Sequence, residues 1–379
     1  MKVLFLSQGR KVSDHPGWDW SLGKLKEEGS IEDYLNIPWL GYVDSGKWNE
    51  FYEKVVDLAN GGGFDVIYFH CFHHRRIPSP ETCLKRLRSL EPRRVIITSS
   101  GDPFSADWML PDFPESFKMA SRYADITFST QMGRAADKMM RWGARNVVLS
   151  PLAMCPFRFK NYEIEPKRHK FDFDVVMVGS RNGARFNPLS KHYWASRTRT
   201  KLVYALDKHF GKRFGIFGYG WDGLPSAQGP VPFDQQQLAF QRGRVFVGGT
   251  PYAMTDYYMS NRPFFSIAAG IPTVELKTPR MDKILRNDDH VYFAESIEGV
   301  IRKCEELLKR DPVELYAKAA VAAREVVDRH TQYHRMKFKL DTVRRYVDNG
   351  FSLDVNFPFF LPEVDLGEEL GFATRKSSK

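Results

Sequence analysis

The stretch YYMSNRPFFSIAAGIPTVE, residues 257–275, joins a polar turn to a short apolar segment. Ser260 or Asn261 can cap a helix there, and Pro263 suits the first turn, where a missing N–H costs nothing. Gly270 follows the apolar residues, at the place where a helix ends on a left-handed residue. Residues 271–274 then have the composition of a strand. The stretch predicts a short buried helix between two strands of an α/β domain.

Arg262 gives this helix a possible chemical role. The first turn of a helix carries backbone N–H groups without intrahelical partners, and the helix dipole is positive at that end. A guanidinium beside such donors favours a phosphate or a diphosphate. The alternative is an ordinary crossover with an arginine on its surface.

Composition sets the size and class of the protein. The chain has 379 residues, of which 42% are hydrophobic and 14% aromatic, enough for two α/β cores. No apolar run approaches the roughly 20 residues that span a bilayer. Nothing near Met1 resembles a signal peptide, and the four cysteines form no CxxC pair. We therefore expect a cytoplasmic protein with reduced thiols.

The net charge of +10 is concentrated in one segment. Residues 158–213 hold 14 basic and 5 acidic side chains, a net charge of +9. Such an excess favours a polyanionic partner, which is a diphosphate, a nucleic acid or an anionic glycan. The alternative is a solvated surface that keeps the protein soluble.

Short apolar runs alternate with helical stretches along the whole chain, as a parallel sheet covered on both faces requires. Strands are predicted at residues 2–7, 64–69, 94–98, 125–128 and 146–149, and again at 173–179, 213–217 and 245–247. The prediction is an α/β protein of two Rossmann-like domains, at 1–155 and 171–340. Residues 156–170 are predicted to be a linker, and the 341–379 tail to pack back on the first domain.

Two motifs in the sequence are misleading. Residues 218–223 spell GxGxxG, but Leu224 and Pro225 follow, and a dinucleotide fingerprint must open directly into a helix. This excludes a dehydrogenase. His330 and His334 have the spacing of zinc ligands but lack the intervening glutamate of a hydrolase, so we predict no metal. The cluster of His70, Cys71, His73 and His74 is interpreted as polar residues at the edge of a cleft.

The C-terminal motifs together resemble those of GT-B glycosyltransferases, in the group 1 branch that includes spore-maturation-type proteins. The matching segments are Ser260-Asn261-Arg262, Ala268-Ala269-Gly270, His330–Arg335, the strand Val175–Gly179, which is similar to the family's "VGS" or "VGN" strand, and the "YGxGW"-like residues Phe217–Trp221. The resemblance covers roughly residues 170–340. One position departs from it, because Phe265 stands where the family usually places a ribose-binding glutamate.

The resemblance implies a nucleotide-sugar donor, UDP-glucose or similar, bound to the second domain across a cleft from the acceptor. Positive groups would replace a metal ion in stabilising the leaving diphosphate. The implied donor-site residues are Arg262, Asn261 and Ser260 for the diphosphate, with Arg181 and Gly179 beside them, Tyr219 and Trp221 for the base or sugar, and Glu275 in place of the missing glutamate.

An inverting transfer also needs a base on the first domain that deprotonates the acceptor hydroxyl. Asp102 is the first candidate, because a carboxylate beyond the carboxyl end of a parallel strand faces the crevice. His15 and Asp19 follow the first strand, and His70 follows another. The alternative for Asp102 is a carboxylate that only shapes its turn. A retaining enzyme needs no such base.

Three acceptor hypotheses remain open. The predicted helix 132–143 places Arg134, Lys138 and Arg141 on one face, with Arg145 just beyond. Together with the basic 158–213 segment, this face suits duplex DNA, in which a hydroxymethylated base offers a hydroxyl once it is flipped out. The alternatives are a cell-envelope or spore-coat glycan, and a non-catalytic protein that binds sugar nucleotides. No membrane span is predicted.

Overall fold

A computed structural model describes residues 1–74, 76–102, 113–160, 162–181, 191–249, 255–353 and 372–374. The chain divides into two compact units. Unit 1 comprises Met1–Pro151 and Gln332–Lys379, and unit 2 comprises Leu152–Thr331. Both are Rossmann-like, with a mainly parallel sheet and helices on its faces, which confirms the predicted α/β class. Strands and helices are numbered below in chain order.

Unit 1 contains a seven-stranded sheet in the order β12-β6-β5-β4-β3-β1-β2. The strands are β1 (Lys2–Ser7), β2 (Asp33–Pro38), β3 (Val66–His70), β4 (Val95–Ser99), β5 (Ile126–Ser129), β6 (Asn146–Leu149) and β12 (Phe372–Thr374). All neighbours pair in parallel except β12, which runs antiparallel to β6. The four strands β3 to β6 are buried at every residue, and this is why the sequence shows them as continuous apolar runs.

The helices of unit 1 cover both faces of this sheet. They are α1 (Pro16–Glu27), α2 (Leu40–Ser45), α3 (Trp48–Gly61), α4 (Glu81–Arg88), α5 (Glu115–Tyr123), α6 (Arg134–Arg141) and α12 (Gln332–Asp348). Helix α3 buries Phe51, Val55 and Ala59 in one core cluster, at the spacing of a helical stripe. On the other face, α12 packs against α1 and buries Met336, Leu340 and Val343.

Unit 2 contains a five-stranded parallel sheet in the order β11-β10-β9-β7-β8. Its strands are β7 (Phe173–Val178), β8 (Phe214–Phe217), β9 (Gly243–Gly249), β10 (Thr273–Leu276) and β11 (Tyr292–Ala294). Its helices are α7 (Lys191–Phe210), α8 (Gln236–Gln241), α9 (Arg262–Ala268), α10 (Ile297–Lys309) and α11 (Pro312–Arg329). Asp311 caps α11 by accepting from the N–H groups of Val313 and Glu314, which fixes the start of this helix.

The unit boundaries differ from the predicted domain boundaries. Residues 156–170 do not form a linker but pack within unit 2, where Phe159 is buried and the Tyr162 N–H donates to the carbonyl oxygen of Ala268. The predicted second domain ends at residue 340, whereas unit 2 ends at Thr331, because the apolar side of α12 packs in the core of unit 1. Within the described residues, no helix is both long and apolar enough to cross a membrane.

Candidate functional site

The loops after β7 and β8 run side by side at the carboxyl edge of the unit 2 sheet. The Gly179 N–H donates to the carbonyl oxygen of Phe217 at 2.8 Å, and the Arg181 N–H to that of Tyr219 at 2.8 Å. A Cβ on Gly218, whose φ is +146°, would lie 2.6 Å from the carbonyl carbon of Gly179. The first glycine of the GxGxxG sequence therefore allows two loops to cross, and its role is structural.

Two arginines converge on Gly179. A Cβ added to Gly179 would lie 3.6 Å from Nε of Arg262 and 3.7 Å from the guanidinium carbon of Arg199. Arg199 is buried and donates to the carbonyl oxygens of Gly249 and Ser180, each at 3.2 Å. The ends of β7 and β9 thus hold this guanidinium in place. Two guanidiniums beside one glycine form a compact positive site of the kind that binds phosphate groups.

Arg262 is the first residue of α9, and its side chain is partly buried. Helix α9 has the predicted course, with Pro263 in its first turn and Gly270 just beyond its end at a φ of +75°. Asn261 occupies the N-cap position, but its side chain makes no capping hydrogen bond. Burial lowers the pKa of the Arg262 guanidinium, and the nearby Tyr258 and Glu275 oppose this shift.

Glu275 is fully buried on β10, directly opposite Gly248 on β9. A Cβ on Gly248 would lie only 1.4 Å from Oε2 of Glu275, so the carboxylate occupies the space above this glycine. Val274 and Leu276 face the hydrophobic core, which places Glu275 on the opposite face of the sheet. Since Glu275 also acts on the pKa of Arg262, the structure brings these two predicted donor-site residues together.

Phe265 is a core residue and does not face this positive site. Its ring stacks on Phe159, with centroids 3.9 Å apart and planes 8° from parallel. The position at which the resembled family has a glutamate is therefore filled by one half of an aromatic pair. Ser260, on the preceding turn, is also buried. Among the predicted donor-site residues, Glu275 provides the only carboxylate.

The predicted aromatic residues have different environments. Trp221 is buried in the core of unit 2, and its indole N–H donates to the carbonyl oxygen of Gly179 at 2.7 Å. It therefore anchors the loop after β7 to the core. Tyr219 has a relative exposure of 69% and is open to a ligand. The Arg181 guanidinium lies 5.7 Å from the ring centre of Tyr204 and 5.8 Å from that of Trp221. Arg181 and Tyr219 thus form an exposed edge of the site.

In unit 1, two of the predicted base candidates lie beside the buried pair His70 and Cys71. Burial lowers the pKa of His70 well below its usual value, and the charges of Lys339, His15 and His73 act in the same direction. Burial raises the pKa of the Cys71 thiol to about 12, and Asp102 contributes to this shift. His15 and Asp102 therefore approach the same buried pair from different loops.

The loop that carries Asp102 is held by contacts with the loop after β3. The Gly101 N–H donates to Nε2 of His73 at 3.3 Å. A Cβ on Gly101 would lie 2.7 Å from Sγ of Cys71, so glycine permits this close approach. Asp102 itself is exposed, and its backbone carbonyl accepts from Oγ of Ser100 at 2.6 Å. Asp102 is therefore an exposed carboxylate three residues beyond the end of β4, where a substrate can reach it.

Asp19, the third base candidate, belongs to a different network. Its Oδ1 accepts from Nδ2 of Asn36 at 2.9 Å, and Asn36 in turn accepts from Oγ of Ser7 at 2.7 Å. The Asp19 carboxylate also contributes to raising the pKa of Tyr34. These contacts direct Asp19 towards β2, whereas His15 and Asp102 adjoin the His70 and Cys71 pair.

The basic 158–213 segment is not a uniform patch. Arg199 is buried, Arg168 pairs with Glu165 at 3.2 Å, and Arg213 pairs with Asp174 at 2.9 Å. Exposed cations do remain in the segment: Lys160, Lys167, Lys170, Arg197, Lys201, Lys208 and Lys212. In unit 1, Arg134, Arg141 and Arg145 of the predicted row are exposed as well.

No group of three or more metal-ligating side chains occurs in the described part of the chain. His330, which has zinc-like spacing in the sequence, is buried and stacks on Phe264 with centroids 5.0 Å apart. The described cysteines Cys71, Cys83, Cys155 and Cys304 are all buried free thiols.

Arg199 was not among the site residues predicted from the sequence, although its helical spacing places it on a buried helix face. Leu202, Val203, Leu206 and Phe210 form the buried side of α7, and Arg199 lies on the same stripe at helical spacing. A charge on the apolar side of a helix is rarely buried without a specific partner or role.

Residues 197–341 match a family model described as glycosyl transferase-like. Sucrose-phosphate synthase from Thermosynechococcus elongatus is similar in structure, with 11% identity, a TM-score of 0.58 and coverage of 92% of this chain and 100% of that one. HepE from Anabaena, in complex with UDP and glucose, has 13% identity, a TM-score of 0.56 and coverage of 91% and 100%. An alpha-glucosyltransferase in complex with UDP and a 13-mer DNA containing an HMU base has 10% identity, a TM-score of 0.58 and coverage of 90% and 98%. No curated protein sequence matches the chain.

Proposed function

We propose that the chain is a glycosyltransferase of the GT-B fold and that it transfers a hexose from a UDP-sugar, UDP-glucose or similar, to an acceptor hydroxyl. The observation that carries the proposal is the convergence of Arg199 and Arg262 on Gly179. Both guanidiniums lie at the carboxyl edge of a parallel sheet, where open α/β sheets bind their ligands.

In this proposal the donor diphosphate binds against Arg262 and Arg199, close to Gly179. Fixed positive charges stabilise the negative charge that develops on the departing diphosphate, so no metal ion is strictly required. Ser260 and Asn261 lie on the turn before α9 and are assigned to the same diphosphate. Glu275 accepts hydrogen bonds from the ribose hydroxyls and thereby replaces the family glutamate.

The exposed edge formed by Arg181 and Tyr219 provides the surface for the base or the sugar. An aromatic ring and a guanidinium plane are both suitable stacking partners for a nucleobase. Two of the similar structures contain UDP, which supports a uridine nucleotide as the first probe for this chain. At 10–13% identity these structures support the choice of probe and leave the sugar open.

Asp102 is the proposed base if the transfer inverts the anomeric carbon. We expect Asp102→Asn to lower kcat by at least about 100-fold, because general-base assistance contributes roughly 10²–10⁴-fold. UDP binding should not change, since Asp102 lies in unit 1 and the proposed donor site in unit 2. Steady-state kinetics and calorimetric titration with UDP measure the two quantities.

The matched control for Asp102→Asn is Asp57→Asn, the same change at an exposed position of α3. His15→Ala tests the second candidate in the same assay. If both Asp102→Asn and His15→Ala retain wild-type rates, neither residue is the base, and a retaining mechanism that needs no base becomes the better explanation.

A hydroxymethylated DNA base is the leading acceptor. The exposed cations of the basic segment and of the row on and beyond α6 support a polyanionic acceptor, and DNA supplies both the charge and, after base flipping, the hydroxyl. An anionic envelope or spore-coat glycan would meet the same cations. A non-catalytic protein that binds sugar nucleotides is the third possibility, and Phe265 at the position of the family glutamate is the feature that favours it.

Release of nucleotide from UDP-sugars separates the three possibilities. We expect UDP release to be stimulated by duplex DNA containing hydroxymethylated bases and not by the unmodified duplex. Binding to either duplex should weaken steeply between about 50 and 200 mM salt. Stimulation only by an anionic glycan would reassign the acceptor, and UDP binding without turnover on any acceptor would favour the non-catalytic protein. Failure to bind any nucleotide sugar would contradict the proposed function itself.

A further inference from the structure

Helix α12 brings a lysine into the interior of unit 1. Lys339 is only 4% exposed, and its ammonium donates to the phenolic oxygen of Tyr68 at 2.8 Å. It also lies 5.1 Å from the ring centre of Trp18 and 5.7 Å from that of Phe128. Within the described part of the chain no carboxylate pairs with it. A buried ammonium held only by a phenol and aromatic faces is costly, and such costs are typically retained where the charge has a role.

A chain of hydrogen bonds runs from Lys339 to the strand ends. The Tyr68 hydroxyl donates to Oγ of Ser99 at 2.8 Å, and Oγ of Ser99 lies 3.0 Å from Nδ1 of His70. The Cys71 N–H also donates to Oγ of Ser99, at 3.4 Å. Helix α12, strand β3 and strand β4 thus contribute successive members of one chain.

The number of hydrogens in this chain fixes its direction. The Lys339 ammonium can only donate, so the Tyr68 oxygen accepts from it. The single hydrogen of Tyr68 then goes to Ser99 or directly to Nδ1 of His70, which lies 3.1 Å from the Tyr68 oxygen. In the first case Ser99 accepts from Tyr68 and from the Cys71 N–H, so its own hydrogen is available for Nδ1 of His70. A neutral imidazole that accepts at Nδ1 carries its hydrogen at Nε2.

We propose that Lys339 is a positioning residue: its ammonium orders the chain through Tyr68 and Ser99 and thereby holds His70 as the Nε2–H tautomer. Nε2 of His70 lies 3.5 Å from Sγ of Cys71, and the same sulfur packs against Gly101, the residue before Asp102. His70 is then a hydrogen-bond donor at the strand ends and is not available as a general base through Nε2. This consequence for catalysis rests on the proposed function, whereas the tautomer itself does not.

The chemical surroundings of Lys339 favour a neutral imidazole. Burial lowers the pKa of the lysine to about 7, Cys71 opposes this shift, and Arg335 adds to it. The charge of Lys339 in turn helps to lower the pKa of His70, so the histidine is neutral near pH 7. The groups that face Lys339 or His70 from the packed elements are Trp18, Tyr68, Phe128, Cys71, His15, His73 and, on the same helix, Arg335.

The tautomer can be read directly from the full-length protein. Long-range ¹H–¹⁵N spectra of the protein labelled at histidine nitrogens distinguish Nε2–H from Nδ1–H, and His70→Gln assigns the signal. Below pH 7, where Lys339 carries its charge, we expect His70 to be predominantly Nε2–H in the wild type and to gain an Nδ1–H population in Lys339→Met. Lys337→Met makes the same change at a half-exposed position of α12 and should leave the His70 signal unaltered. An Nδ1–H or charged His70 in the wild type, or an unchanged tautomer in Lys339→Met, would overturn the proposal.

Tyr68→Phe provides a second variant in case Lys339→Met does not fold. It removes the middle of the chain but retains the lysine, so Ser99 can accept from Nδ1–H of His70, and this tautomer should appear. A His70 that stays Nε2–H in Tyr68→Phe would contradict the relay. Because neither spectrum requires a donor or an acceptor, this result is independent of any failure to find sugar transfer.

Stability provides an independent readout of the lysine charge. With a pKa of about 7 in the folded state and an ordinary value of 10.5 when unfolded, Lys339 binds fewer protons in the folded than in the unfolded protein between these two pH values. Its contribution therefore makes the free energy of unfolding rise with pH across that window. The rise should be smaller in Lys339→Met than in Lys337→Met. Equal slopes in the two variants would contradict a Lys339 pKa that burial lowers to about 7.

Discussion

Arg262→Ala is expected to lower kcat/KM by about 10²–10³-fold, the loss that follows removal of one fixed group that stabilises transition-state charge. Arg262 is the first residue of α9, and its guanidinium lies beside Gly179, next to the guanidinium of Arg199. Arg199 remains in the variant, so some stabilisation of the leaving diphosphate persists. Initial rates of UDP release at varied donor concentration measure the effect. Most of the loss should fall on kcat, because charge develops fully only as the diphosphate leaves.

Two further variants make the Arg262 result specific. Arg262→Lys retains the charge without the planar guanidinium and should fall between the wild type and the alanine variant. Arg302→Ala removes an exposed arginine on α10 and should leave the rate unchanged. A wild-type rate in Arg262→Ala would mean that the diphosphate binds elsewhere, and the site at Gly179 would have to be abandoned.

Asp125→Asn is expected to destabilise unit 1 by about 3 kcal/mol or more, because it leaves a largely buried arginine without its anion. The fully buried Asp125 accepts from Arg88 at 2.9 Å, from Arg93 at 2.8 Å, from the Ile96 N–H at 2.9 Å and from the Tyr346 hydroxyl at 3.1 Å. One carboxylate thereby joins α4, β4 and α12. An amide in the same place carries no charge and can accept through only one oxygen.

Thermal or urea unfolding measures this effect, with Asp57→Asn as the exposed control. At about 2–4 °C per kcal/mol for a unit of this size, the midpoint of the unit 1 transition should fall by roughly 6–12 °C. The control should remain within about 0.5 kcal/mol of the wild type. A loss of less than 1 kcal/mol in Asp125→Asn would show that water or a local rearrangement compensates the arginines.

The sequence predicts those elements whose burial is uniform. Strands β3 to β6 are continuous apolar runs, and the predicted bounds of β6, residues 146–149, coincide with the observed ones. Strand β2 was not predicted, because it lies at the edge of the sheet, is mostly exposed or half-buried, and has Asp33 and Asn36 interrupting its apolar residues. Strand β11 was also missed, since its three residues are too short for a periodicity to show.

The proposed donor site was predictable in part. Arg262, Gly179 and Glu275 lie close together, because they lie on or just after three neighbouring strands of one parallel sheet, β7, β9 and β10. The role of Trp221 was not predictable, since an aromatic residue after a glycine turn suits a core and a ligand surface equally well. The structure places it in the core.

Two buried cations, Arg199 and Lys339, were not predicted from the sequence. Arg199 and Lys339 lie on apolar helix faces, which is visible from spacing alone, but the groups they meet come from distant strands. Lys339 reaches a tyrosine 271 residues earlier in the chain, and no local pattern encodes that contact. Helical spacing can therefore identify a charge on a buried helix face as a candidate functional residue, although it cannot identify the partner of that charge.

A crystal structure of the protein soaked with UDP tests the central claim most directly. The expected result is a diphosphate within hydrogen-bond distance of the guanidiniums of Arg262 and Arg199 beside Gly179, with a ribose hydroxyl at Glu275. UDP bound elsewhere in unit 2, with Arg262 remote from the phosphates, would contradict the claim.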